Sequence, residues 1–207
     1  MIGARSSRGM TLTELMVSVI LVGLIMLGIA SVDFATKQSQ QTTTRSGLVA
    51  MQTGAMMLDI VKNVSMATGT FSNPGIRSSQ VPTSHPCYAP LLDLCVRRDI
   101  NSSGVNNNTP TDFSDDNWVC YRRVAINNSL YTCIRAGFGE CLATDRYLGG
   151  STSINVTIPI DPSTQIFYVS IALRNRYIPG NALDPFNNPE YYVETRVYPG
   201  YHSWIIP

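Results

Sequence analysis

Arg5-Ser6-Ser7-Arg8-Gly9-Met10-Thr11-Leu12-Thr13-Glu14 runs directly into an apolar stretch from Leu15 to Val32, and residues 5–33 decide the fold. Glu14 is the only charge between Arg8 and Asp33. At about 1.5 Å per residue, Leu15–Val32 makes roughly 27 Å of helix, close to the thickness of a bilayer core. Residues 10–33 therefore read as a transmembrane helix behind a basic leader, 1–9. An ordinary secretory signal has a shorter apolar run, about 7–15 residues, with a small-residue cleavage site after it. Here the run is longer, no A-x-A-type site follows, and the small residue Gly9 precedes it. The two leader arginines belong on the cytoplasmic side of the inner membrane. Everything after residue 33 then reads as an anchored periplasmic or extracellular domain.

Arg8-Gly9-Met10-Thr11-Leu12-Thr13-Glu14-Leu15-Met16 resembles the processing site of type IV pilins and the pseudopilins of type II secretion. The resemblance implies cleavage after Gly9 by a prepilin peptidase and methylation of the new N-terminus at Met10, where the family most often has phenylalanine. Glu14 matches the glutamate at the fifth mature position. A carboxylate in the apolar end of a membrane helix costs on the order of 2.5–3.5 kcal/mol and persists if it finds a partner. The resemblance supplies one: the α-amino group of Met10 on a neighbouring subunit. Glu14 also lies in the first helical turn, where the macrodipole favours negative charge. The plainer reading is a signal-anchor whose glutamate faces lipid headgroups.

The 207 residues have room for one moderate domain beyond the helix. Only 14% are charged and the formal net charge is +1. Loss of Arg5 and Arg8 would leave 15 − 2 = 13 basic against 14 acidic residues. That balance does not suggest a nucleic-acid binder, and the pairs Arg97-Arg98 and Arg122-Arg123 read as solvated surface arginines. The five cysteines, Cys87, Cys95, Cys120, Cys133 and Cys141, all follow the apolar run. Beyond the membrane they would face an oxidising compartment, where disulfides persist. Cys87–Cys95 and Cys133–Cys141 share one spacing, and Cys120 could instead reach Cys133 across a hairpin. An odd count leaves at least one unpaired. With no C-x₂-C motif and only His85 and His202 present, no metal or other cofactor is expected.

No proline interrupts Met10–Asn73, so a single helix is expected to continue past the membrane to about residue 68. Phe34–Ser46 is polar and threonine-rich. In the upper part, Leu48, Met51, Ala55, Leu58 and Val61, with Met57, Val64 and Ala67, recur at helical spacing and read as the face that packs on the domain. Gly69–Asn117 reads as loops with short strands at most, stapled by Cys87 and Cys95. Its acidic cluster, Asp112-Phe113-Ser114-Asp115-Asp116, lacks calcium-loop spacing and reads as solvated carboxylates. Trp118–Ile126 and Leu130–Arg135 read as a hairpin about Asn127-Asn128-Ser129. Ser153–Ile158, Gln165–Arg174 and Glu190–Tyr198 read as further strands. In the last two of these, alternation puts Phe167, Val169, Ile171 and Leu173 on one face, and Tyr191, Val193 and Val197 on one face. The tail Tyr201–Ile206 reads as a buried terminal strand. Helix first and antiparallel strands after it give an α+β architecture with the sheet, 69–207, on the helix continuation, 34–68.

Val119, Tyr121, Asn128, Leu130, Tyr131 and Arg135 resemble the sheet pattern of the PilW minor pilins and the related GspJ pseudopilins. No nucleophile elbow, phosphate loop or HExxH occurs, so the chain is expected to be an enzyme's substrate and not an enzyme. The resemblances imply a minor pilin that joins other major and minor pilins through its N-terminal helix. A type II secretion pseudopilin and a pilus-tip adhesin or DNA-uptake subunit are the alternatives.

Overall fold

The computed structural model describes residues 10–85, 87–90, 93–109, 111–124, 128–137, 141–142, 144–159, 167–178 and 180–203. Among the described residues one helix, α1 (Leu12–Ser65), comes first, followed by ten short strands: β1 (Thr68–Thr70), β2 (Ile76–Arg77), β3 (Leu94–Arg98), β4 (Asn117–Val124), β5 (Ser129–Arg135), β6 (Arg146–Gly149), β7 (Thr152–Thr157), β8 (Val169–Arg176), β9 (Glu190–Val197) and β10 (Tyr201–Ser203). The chain divides into two compact units within α1, one ending at Thr44 and one running from Arg45.

In the second unit, β2-β3-β4-β5-β6 form an antiparallel sheet, β7-β8-β9 form another, and β1 pairs with β10 in parallel. The upper part of α1 packs against both antiparallel sheets, giving the α+β fold expected. Met56, Met57, Ile60 and Val64 of the helix share one core with Leu94, Val96, Val119, Tyr121 and Leu130 of the first sheet. Ile154, Val156, Val169, Ile171, Leu173 and Val197 complete that core from the second sheet. Alternation along β8 is as expected: Phe167, Val169, Ile171 and Leu173 are all buried.

The buried helix face matches the expected one only in part: Met57, Val64 and Ala67 are buried as expected, and Val61 packs partly buried against the core. Val49, Thr53, Met56, Met57, Ile60, Asn63 and Val64 are buried, whereas Met51 and Leu58 are 78% and 71% exposed and Leu48 is exposed too. Two apolar stripes run along this part of α1, offset by one residue. Periodicity identifies both, but only the sheet decides which is covered. The stripe that wins carries Asn63, whose amide reaches the buried sheet tyrosine. Asn63 Nδ2 donates to Tyr121 Oη (2.6 Å), and Tyr121 Oη donates to Asp59 Oδ2 (2.8 Å). Arg98 Nη1 donates to Asn63 Oδ1 (2.7 Å), and Arg146 Nη2 to Asp59 Oδ1 (3.0 Å). Burial, then the Asp59 charge, hold the Tyr121 phenol well above its usual pKa, so it stays neutral. A buried polar network satisfied this way fixes the rotation of the helix on the sheet.

The stretch Gly69–Asn117, expected as loops with short strands, holds β2, β3 and the end of β1. Gly75 leads into β2; a Cβ there would overlap the Thr68 carbonyl, so the chain needs glycine at this close approach. Arg97 is not solvated but buried at 4% exposure. Its Nε donates to the Thr68 carbonyl (3.3 Å), and its two terminal nitrogens to Asn73 Oδ1 and the Asn73 carbonyl, both 3.0 Å. The expected tail strand is present as β10, paired with β1; its Tyr201 is 68% exposed, against the expectation of burial, and residues 204–206 of that tail lie outside the described residues.

Candidate functional site

The N-terminal helical turn is built by Thr11 and Glu14. Thr11 is the last non-helical residue, and its Oγ1 accepts from the Glu14 amide (3.3 Å). In return Glu14 Oε2 accepts from the Thr11 amide (2.9 Å) and the Thr11 hydroxyl (3.0 Å). This is a capping box, Thr-x-x-Glu, in which side chains satisfy backbone donors that the first turn otherwise leaves orphaned. Oε1 of Glu14 takes no hydrogen bond among the described residues. Sequence reasoning missed Thr11, although its signal, threonine three residues before the glutamate at the head of an apolar run, was in the sequence.

From Leu15 the helix is exposed on every side: Leu15, Ile20, Leu24, Leu27 and Val32 are all more than half exposed. α1 is long and apolar enough to cross a membrane, and none of its most apolar window is buried. A core helix of the same composition would be covered. The few polar groups turn inward on the helix itself: Ser18 Oγ donates to the Leu15 carbonyl (2.9 Å) and Ser31 Oγ to the Gly28 carbonyl (2.8 Å). Thr36, Thr43 and Thr44 bond the carbonyl four residues back in the same way. A helix closed on itself like this can stand in lipid without water. Gly9 lies outside the described residues; Met10, next to it, is 65% exposed.

The cysteines fall on both faces of the first sheet. Cys95, Cys120 and Cys133 lie side by side across β3, β4 and β5 on the face away from α1. Disulfides join Cys95 to Cys120 and Cys133 to Cys141. The staple between Cys87 and Cys95 is therefore corrected: Cys95 takes its cross-strand neighbour. Cys87 lies in the helix-facing core as a free thiol, with its pKa pushed up to about 12 by burial. Cys120–Cys133 is a cross-strand pair too, but Cys120 is already taken.

Residues 4–30 match the model of the prokaryotic N-terminal methylation motif. Neither curated proteins nor solved structures give a match to the chain. The match covers Gly9, Met10, Thr11, Glu14 and most of the exposed apolar helix. This N-terminal segment therefore carries the methylation motif found in type IV pilins and pseudopilins, and it supports that family over residues 4–30.

Proposed function

We propose that the protein is a minor pilin: a subunit cleaved by prepilin peptidase after Gly9, held in the inner membrane by Leu15–Val32, and then drawn into a type IV pilus. The observation that carries this reading is the Glu14 carboxylate. One of its oxygens closes its own helix, and the other takes no hydrogen bond among the described residues. In a filament, that second oxygen faces the methylated amine of a neighbouring Met10. The pair cancels two charges that would otherwise sit in an apolar bundle, and sets axial register. Leu48, Met51 and Leu58 are exposed on the helix beyond the polar stretch Phe34–Ser46, offering the bundle a second, separate apolar patch. No catalytic role is needed; the chemistry is done to this chain.

Deleting the gene should remove surface pili and twitching while secreted enzymes still leave the cell. Re-expressed Glu14→Ala protein should insert in the membrane at normal levels but fail to enter filaments. Lost secretion with intact pili would make the protein a pseudopilin instead. Normal filament entry by Glu14→Ala would remove the assigned role of the carboxylate.

A further inference from the structure

The strands β3 and β4 are joined by an 18-residue connection, Asp99 through Asp116, and its base is unusual in charge. The ladder register pairs Leu94 with Tyr121 and Arg98 with Asn117. One step further, the same register sets Asp99 against Asp116, two like charges where a ladder closes, an arrangement that is destabilising unless compensated. Asp115 adds a third. One carboxylate oxygen from each of Asp99, Asp115 and Asp116 lies within 4.8 Å of the other two.

Asp116 is the informative member. Its side chain is 1% exposed. Oδ2 accepts from the Thr68 hydroxyl (2.8 Å) and lies 3.6 Å from Arg97 Nε. Oδ1 is buried and has no hydrogen-bond partner. A buried, unsatisfied carboxylate oxygen is costly, and the Arg97 nitrogen that approaches Asp116, Nε, has its one hydrogen committed to the Thr68 carbonyl.

The local hydroxyl cannot relieve the crowding either. Thr109 Oγ1 lies 3.1 Å from Asp99 Oδ1, 3.2 Å from Asp115 Oδ1 and 3.0 Å from Asp115 Oδ2. It has one hydrogen to share among them. The Thr109 amide donates to Asp99 Oδ2 (2.9 Å), and Asn107 Nδ2 to the Asp115 carbonyl (3.1 Å). These contacts hold the carboxylates in place without neutralising them. Three negative charges against one guanidinium leave the cluster at about −2.

We propose that Asp99, Asp115 and Asp116, brought together at the base of the β3–β4 connection, form a calcium site. The donors are all oxygen, which selects a hard cation over zinc or copper. A divalent ion would balance the residual charge and give Asp116 Oδ1 its partner. Thr109 Oγ1 would turn a lone pair towards the ion, with water filling the rest of the shell. The Cys95–Cys120 disulfide already ties this hairpin further along the ladder, and the ion would tie its open end. Of the aspartates read as solvated, Asp112 and Asp115 are exposed and Asp116 is buried; Asp99, distant in sequence from Asp115, is carried to it by strand register.

The test is equilibrium dialysis of the full-length, detergent-solubilised protein against radioactive calcium, after stripping with chelator. Wild type should bind one calcium ion per chain, with a dissociation constant near or below the ~10⁻³ M of extracellular calcium modules, and magnesium should compete poorly. Asp115→Asn, at an exposed position, should weaken binding at least tenfold. Asp112→Asn, in the same connection but outside the cluster, should bind as wild type. Added calcium should raise the unfolding temperature of wild type and of Asp112→Asn, but not of Asp115→Asn. No bound calcium in wild type at several millimolar, or equal binding by Asp115→Asn, would overturn the site.

Discussion

At Glu14 one carboxylate oxygen closes the helix through Thr11, and the charge this leaves at the head of an apolar surface is legible from the sequence alone. The capping partner is equally local and was open to the same reading. The cysteines were legible in part. Their spacings gave Cys133 with Cys141, as observed, but also Cys87 with Cys95, whereas Cys95 pairs with Cys120 by strand register, which depends on a strand, β3, that the serine- and asparagine-rich surroundings conceal. Cys87 then ends in the core, where its thiol, with a pKa of about 12, is almost wholly protonated and shielded. Under native, non-reducing conditions iodoacetamide should leave Cys87 unmodified, and in denaturant it should alkylate Cys87 alone. Peptide mapping should return Cys95 linked to Cys120 and Cys133 to Cys141. Rapid native alkylation of Cys87, or a Cys87–Cys95 peptide, would contradict this pairing.

Among the elements, α1 shows what periodicity can and cannot decide. Its existence, length and continuity past the membrane segment follow from the absence of proline and the run of apolar residues. The β8 alternation and the β4–β5 hairpin follow as directly, because period two with a turn between has one simple solution. The rotation of α1 does not, since two apolar stripes compete and the buried choice depends on Tyr121, far along the chain, meeting Asp59 and Asn63. The two stripes are separable by substitution. Met56→Ala, at 1% exposure, should cost about 2–5 kcal/mol of stability through lost burial and a cavity. Met51→Ala, at 78% exposure, should cost no more than about 0.5 kcal/mol. Denaturant unfolding of the detergent-solubilised protein reads both, and similar losses at the two positions would contradict the observed face.

For the molecule as a whole, the two units obey different solvents. The residues from Arg45 bury a mixed apolar core under two sheets and secure it with disulfides on the far face. The apolar residues before Asp33 are exposed among the described residues, a surface suited to lipid or to other helices. That division explains why the anchor and its processing motif were plain in the sequence, while the aspartate cluster appeared only with the fold: the first depends on contiguous residues, the second on register between distant ones. The account as a whole rests on the fate of the peptide bond after Gly9. Intact-mass and N-terminal peptide mass spectrometry of the protein from its native membranes tests it most directly. A mature chain beginning at N-methylated Met10 is the predicted result; a chain still beginning at Met1, in cells with active prepilin peptidase, would contradict it.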